Sequence, residues 1–223
     1  LHDDLVVRHG SLLGVAEIVL AFGEANLVKG DILTSEMLSS VAELVPSIEQ
    51  ARLYRGRGGE IMRNAACRMV ECISHAGVPL SVKQQVRLLD SVDACLVHPT
   101  EGIQTSAARA LNVLLENYFP VGCNGPSVRL QTRVMGKYIS KVQTEDNPAA
   151  TRGFSLALGH LPAKLLAPSC EVLDSVLSCL CNASRKESLV GGEGDAETRR
   201  NAIMSLVKVC TIVGINTNET HFS

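Results

Sequence analysis

Apolar residues recur at steps of three and four along almost the whole chain, as the buried stripe of an amphipathic helix does. No segment alternates apolar and polar residues in the way that a half-buried strand requires. Glycine- and proline-containing breakers separate the periodic segments. The pattern predicts an all-α fold with about nine helices of roughly 15–20 residues. The predicted helices cover 6–20, 37–48, 61–73, 86–97, 107–115, 130–142, 148–166, 169–183 and 196–213.

Five of these helices share one sequence frame near their starts. The frame begins at Arg8, Arg63, Ser106, Arg152 and Arg200, and Gly or Ala follows two positions later in all copies but one. The copies are 55, 43, 46 and 48 residues apart, which is close to the spacing of HEAT and armadillo helix pairs. A small residue lets a neighbouring helix approach closely, and the arginine can bridge to the acidic or amide cap of the next repeat.

The frame predicts an α-solenoid of HEAT/armadillo-like repeats, with an irregular helical bundle as the alternative. We expect residues 1–223 to form a single solenoid segment of a larger protein, with a flexible inter-helix loop near 185–196.

The composition agrees with this class and narrows the possible partners. Hydrophobic residues make up 46% of the chain and aromatic residues only 3%, which argues against β architectures and against stacking readers of single-stranded nucleic acid. The 21 basic residues do not exceed the 23 acidic ones, so we expect no nucleic-acid partner. The apolar stretch 12–22, interrupted by Glu17, is shorter than the roughly 20 residues that cross a bilayer, so we expect no membrane insertion.

The sequence offers weak candidates for chemistry, and we predict no catalytic, cofactor-binding or metal-binding residue. The segment 55–59 is rich in glycine and precedes a helix, but it lacks the Gly-Lys-Ser/Thr ending of a phosphate loop, so an inter-helix turn is favoured. Most of the eight cysteines lie in apolar helical patterns, which indicates reduced core thiols and a cytoplasmic protein. The pairs Cys72/His75 and Cys95/His98 are interpreted in the same way, because no Cys-x-x-Cys motif accompanies them.

Five arginines fall within seventeen residues, opposed only by a glutamate at position 60. We assign Arg63 to the repeat frame and expect Arg68 to be solvated. Arg52, Arg55 and Arg57 lie in the predicted turn, where they are available to bind an acidic protein segment. A solvated, charged turn without a partner is the alternative.

Three motifs together resemble one family. They are the stretch 7–11, the turn 53–59 leading to Met62-Arg63, and the stretch 151–159. In this order and with comparable spacing they resemble the C-terminal HEAT-repeat region of the tubulin-folding cofactor D family, also called tubulin-specific chaperone D. The segments 22–40, 75–100 and 186–196 show no family pattern.

The resemblance implies a non-catalytic co-chaperone that acts after the cytosolic chaperonin. Members of this family bind β-tubulin and cooperate with folding cofactors E and C and with an Arf-like small GTPase. They take part in assembly and disassembly of the αβ-tubulin heterodimer, and their complex promotes GTP hydrolysis by tubulin. The location implied is cytoplasmic and associated with the cytoskeleton. With tubulin as the acidic partner, Arg52, Arg55 and Arg57 become the expected contact.

Two other classes of function stay open at this point. A general HEAT-repeat scaffold of the transport-receptor or phosphatase-scaffold type would bind a different protein. An enzyme with a site built across helices would show a deep pocket with convergent titratable groups.

Overall fold

The computed structural model describes residues 4–28, 32–119, 126–144, 146–166, 172–185 and 196–220. Within these ranges it contains ten α-helices, one 3-10 helix and no strand, which confirms the predicted all-α fold of helical repeats. The α-helices are α1 (Leu5–Glu24), α2 (Ser35–Ala42), α3 (Leu44–Gln50), α4 (Gly59–His75), α5 (Val82–Leu96), α6 (Glu101–Tyr118), α7 (Pro126–Thr144), α8 (Pro148–Leu158), α9 (Val172–Ser184) and α10 (Ala196–Thr220).

Prolines shorten two of the predicted helices. The segment 37–48 is divided into α2 and α3 at Glu43, because Pro46 has no N–H to donate to the carbonyl oxygen four residues earlier. The segment predicted as a helix over 148–166 stops at Leu158 for a similar reason. Pro162 cannot continue α8, and the chain then forms a 3-10 helix over Ala163–Leu166.

The chain divides into two compact units. The first comprises Leu1–Cys95 and Arg109–Tyr118, and the second comprises Leu96–Ala108 and Phe119–Ser223, so α6 contributes residues to both. The single repeat segment expected over 1–223 stays a prediction. Residues 186–195 of the expected inter-helix loop lie outside the described residues.

In the first unit, two successive frame helices, α1 and α4, lie side by side and run in the same direction. The Leu5 side chain at the start of α1 lies against Gly58, which precedes α4, and Gly23 near the end of α1 lies against Ala76, which follows α4. A Cβ on Gly23 would lie only 2.4 Å from the Cα of Ala76, so the glycine permits this close approach. Parallel packing of equivalent helices is what stacked repeats predict.

Helix α1 is long and apolar enough to cross a membrane, judged by length and composition alone. One face, with Leu12, Ala16 and Val19, is buried, while Val6 and Ile18 are exposed. This helix is longer than the apolar stretch 12–22, from which we expect no membrane insertion. That expectation therefore stays a prediction.

In the second unit, the frame helices α6, α8 and α10 meet near their starts. The Gln104 side-chain amide of α6 donates to the Ala149 carbonyl oxygen of α8 at 2.7 Å. Gly153 lies so close to the Leu96 carbonyl oxygen that a Cβ would be 1.8 Å from it. Helices α7 and α9 contact each other and also pack on α8 and on α10, respectively, as a second layer. This two-layer arrangement matches the helix pairs expected from the frame.

The small residue of the frame serves packing in three copies. Ala65, Ala108 and Ala202 are buried, which agrees with a packed position, while the close helix approach predicted there stays a prediction. Gly10 in the first copy is exposed, and nothing lies within 4 Å of the position that a Cβ would take, so the prediction is wrong there. Within the described part of α1, no neighbour requires a small side chain at this position.

Candidate functional site

The frame arginines of the second unit are paired with carboxylates at the starts of neighbouring helices. Arg152 of α8 contacts Glu197 in the first turn of α10, so it reaches an acidic residue of the next repeat, although not the predicted cap position. Arg200 of α10 contacts Glu101 in the first turn of α6. We call Glu101, Arg152, Glu197 and Arg200 the charge ladder. A carboxylate in a first helical turn also interacts favourably with the helix dipole, so these pairs help to hold the three helix starts together.

Arg63, one of the two frame arginines of the first unit, has a different environment. Arg63 of α4 stacks over the ring of Tyr54, with its central guanidinium carbon 4.8 Å from the ring centroid. Its Nη1 donates to Cys95 Sγ of α5 at 4.0 Å. The same frame position therefore contacts an aromatic ring and a thiol here, and carboxylates in the second unit.

The expectation that Arg68 is solvated is wrong. Its guanidinium donates to both carboxylate oxygens of Glu17 on α1, at 2.7 and 2.9 Å, and it lies 3.3 Å from Glu71. The hydrogen bond from Arg68 lowers the pKa of Glu17 below its usual value. Arg68 therefore connects α4 to α1 and belongs to the fold.

The three arginines predicted to contact a partner lie together in the turn between α3 and α4. We call residues 51–58 the arginine turn. Arg52, Arg55 and Arg57 are all exposed. Among the residues that the structure describes, no ion pair or side-chain hydrogen bond involves their guanidinium groups. The turn thus presents three positive charges to solvent, and their role in binding stays a prediction.

Arg52 occupies a backbone conformation that favours glycine. It follows the C-cap of α3 with a φ of 55°, and its N–H and that of Leu53 donate back to the carbonyl oxygens of Glu49 and Ile48, forming a Schellman motif. The equivalent residues after α1 and α4 are Asn26, with a φ of 55°, and Gly77, with a φ of 63°. An arginine here costs about 1 kcal/mol relative to glycine. The strain makes Arg52 a candidate for a role other than folding.

The glycines of the turn have conformational and packing roles. Gly56 and Gly58 have φ values of 77° and 86°, and a Cβ on Gly59 would lie 2.2 Å from the Tyr54 carbonyl oxygen. These requirements support the inter-helix turn over a phosphate loop. Glu60 in the first turn of α4 adds negative charge where a phosphate would have to bind.

The cysteines are largely core residues, as predicted. All six in the described ranges are free, and Cys67, Cys72, Cys95 and Cys179 are buried, whereas Cys210 is exposed. Burial raises the pKa of Cys72 and that of Cys179 to about 11. Across the described ranges, no three His, Cys, Asp or Glu side chains are grouped so that they could hold a metal ion.

Sequence reasoning missed one pair of thiols. Cys67 of α4 and Cys95 of α5 line the same crevice, and their interaction raises the pKa of Cys67 and lowers that of Cys95. The positive charge of Arg63 lowers the pKa of Cys95 further. Both cysteines lie within consecutive predicted helices, 61–73 and 86–97, and that shared feature was the available signal.

A cavity of about 430 Å³ lies beside the ends of α1, α4 and α6. Its titratable side chains are His75 and Tyr118. The Tyr118 hydroxyl donates to the Val78 carbonyl oxygen at 2.7 Å, and burial raises the pKa of Tyr118. Among the residues lining this cavity, we find no nucleophile with a general base, so it gives no support to the enzyme alternative.

The comparisons with known proteins agree with the motifs at a coarse level. No family model matches the chain, and no solved structure matches it. The chain is similar to Tubulin-specific chaperone D of Dictyostelium discoideum, with 20% identity over an alignment of 276 residues. That alignment covers 93% of this chain and 18% of the relative, so the chain spans less than a fifth of the relative's length. The similarity supports a distant relationship to tubulin-specific chaperone D.

Proposed function

We propose that this chain is a segment of a tubulin-folding co-chaperone and that it binds β-tubulin. The observation that carries the proposal is the similarity to a tubulin-specific chaperone D, which extends over 93% of the chain. The motifs at 7–11, 53–59 and 151–159 resemble the same family independently of that alignment. A stack of helical repeats offers an extended surface, which suits the binding of a partly assembled subunit.

The arginine turn is the proposed contact with β-tubulin. Arg52, Arg55 and Arg57 are exposed, lie within six residues of each other and carry the same charge. Tubulin is acidic, and guanidinium groups bind carboxylates through charge-assisted hydrogen bonds. Salt screens exposed charges over about 8–10 Å, so binding through this turn weakens as ionic strength rises.

The wider role proposed for the chain follows the family resemblance. The chain acts without catalytic residues of its own, in the cytoplasm and in association with the cytoskeleton. In the parent protein it works with folding cofactors E and C and an Arf-like small GTPase to assemble and disassemble the tubulin heterodimer. Its complex promotes GTP hydrolysis by tubulin.

The test is a charge reversal of the arginine turn. Binding of the chain to purified tubulin is measured by surface plasmon resonance for the wild type and for R52E/R55E/R57E. The matched control is K83E/R109E/K164E, which changes the net charge equally at exposed positions on α5, α6 and the 3-10 helix. We expect the turn variant to lose affinity by about tenfold or more and the control by about twofold or less.

If both triple variants lost affinity for tubulin equally, the loss would be a general charge effect, and the arginine turn would not be the contact. Absence of wild-type binding to tubulin would contradict the function itself for this chain. Affinity purification that recovers transport cargo or phosphatase subunits without tubulin would favour the general scaffold.

A further inference from the structure

Cys67 and Cys95 form a buried thiol pair at the base of the arginine turn. Each has only 2% of its surface exposed, and the two side chains line the same narrow crevice between α4 and α5. Apart from these thiols, the polar side chains lining the crevice are Tyr54 and Ser91. The two thiols also shift each other's acidity, raising the pKa of Cys67 and lowering that of Cys95.

A positive charge lies against one member of the pair. The Arg63 Nη1 is 4.0 Å from Cys95 Sγ, and Arg63 is positioned by its stacking over Tyr54. A guanidinium beside a sulfur atom favours the thiolate, which is the nucleophilic form of cysteine. Cys72 on the same helix as Cys67 is also buried, but burial raises its pKa to about 11, so Cys72 and Cys95 differ in reactivity.

The Tyr54 hydroxyl provides a second, independent observation. It is buried and has no hydrogen-bond partner in the described structure. Tyr54 lines the same crevice as the two thiols. An unpaired buried hydroxyl is destabilising, so its retention beside a thiol pair calls for an explanation. A small polar oxidant that reaches Cys95 could accept a hydrogen bond from the Tyr54 hydroxyl.

We propose that Cys67 and Cys95 are a peroxide-sensitive dithiol that closes to an intramolecular disulfide. The Cys95 thiolate attacks one oxygen of hydrogen peroxide, the O–O bond breaks, and hydroxide leaves and takes up the proton lost by Cys95 to give water. The Cys67 sulfur then attacks the Cys95 sulfenic acid, and the S–S bond forms as the S–O bond breaks. The departing hydroxide takes the Cys67 proton. Two thiols and one peroxide thus yield one disulfide and two waters.

The arginine turn controls access to this pair. The crevice has no room for a free water molecule, and Tyr54 of the turn forms part of its wall. Peroxide therefore reaches Cys95 only when the turn opens locally. In the disulfide, Cys95 can no longer form a thiolate, so oxidation weakens one of the contacts that hold Arg63 beneath the turn.

The test maps disulfides in the whole 223-residue chain after exposure to hydrogen peroxide. Remaining thiols are alkylated under denaturing conditions, and peptides are identified by mass spectrometry. We expect a peptide pair linked through Cys67 and Cys95, while Cys72 and Cys179 stay reduced. In C67A, dimedone should label Cys95 as a sulfenic acid, and C72A is the matched control that still forms the disulfide.

Arg63 is tested as a positioning residue through the oxidation rate. R63Q should slow formation of the disulfide by about tenfold, and R63K should restore most of the rate because it keeps the positive charge. The proposal is overturned if no Cys67–Cys95 link forms while the exposed Cys210 is oxidised. It is also overturned if R63Q, folded by circular dichroism, forms the link at the wild-type rate. Neither result depends on tubulin, so both are separate from the proposed function.

Discussion

The two units use the same frame arginine for different contacts. In the second unit, Arg152 and Arg200 meet carboxylates in the first turns of neighbouring helices. In the first unit, one of the two frame arginines, Arg63, meets the Tyr54 ring and the Cys95 sulfur instead. The frame therefore determines where the arginine lies, and the residues contributed by neighbouring elements determine what it does. An arginine that organises helix starts in one unit supports a reactive thiol and an exposed turn in the other.

The most destabilising change we expect concerns the close helix approach of the second unit. Gly153→Ala places a Cβ 1.8 Å from the Leu96 carbonyl oxygen, so the backbone must shift. The free energy of unfolding should fall by about 3 kcal/mol, measured by urea denaturation. Gly102→Ala is the control, because no neighbouring atom lies within 4 Å of the position that its Cβ would take. A small effect of Gly153→Ala would contradict the close contact between these segments.

The next prediction separates the two kinds of arginine contact. R152Q should lower the free energy of unfolding by about 1 kcal/mol and should lose most of that effect when Glu197 is already Gln. R63Q should lower the free energy of unfolding by a similar amount, because the stacking on Tyr54 is lost. Adding E197Q should not change the effect of R63Q. A double-mutant cycle in urea measures both couplings. Equal coupling of Arg63 and Arg152 to Glu197 would remove the distinction between the units.

Replacing Arg52 by glycine should affect stability and tubulin binding in opposite directions. R52G relieves the left-handed conformation and should raise the free energy of unfolding by about 0.5–1 kcal/mol. It should also weaken binding to tubulin, because a guanidinium is lost from the arginine turn. The control is N26G, at the equivalent cap of α1. It should raise the free energy of unfolding or leave it unchanged, and it should not change the affinity for tubulin. If R52G binds tubulin as tightly as the wild type, Arg52 is not part of the contact.

The smallest expected effect is the pH dependence of the Glu17–Arg68 pair in the first unit. The pKa of Glu17 is lowered from 4.5 in the folded state, so its contribution to stability is present above that value. It is lost as the pH falls through the lowered pKa. The difference in Tm between the wild type and E17Q should therefore shrink as the pH is lowered from near neutral into the acid range. A difference that stays constant would show that the ion pair does not contribute.

Local patterns predict most of the fold, because helical periodicity and breaking residues act within a few positions. The break between α2 and α3 is also predictable from the sequence, because a proline several residues inside a helix opposes its continuation. The environments of Arg68 and Gly10 are not predictable in this way. Glu17 and Arg68 are 51 residues apart, and their pairing depends on how α1 packs along α4.

The candidate site is predictable in part. The exposure of Arg52, Arg55 and Arg57 follows from a glycine-rich turn between two helices, and the structure places all three as expected. The strain at Arg52 and the thiol pair beneath the turn depend on a helix cap and on contact between α4 and α5. Neither arrangement follows from residue types alone.

Hydrogen–deuterium exchange of the chain with and without tubulin tests the central claim most directly. That claim is that the arginine turn of the first unit contacts β-tubulin. We predict slower exchange at residues 51–58 when purified tubulin is added, with no change at the first turns of α6, α8 and α10. Unchanged exchange at 51–58, together with protection at those first turns, would contradict the claim.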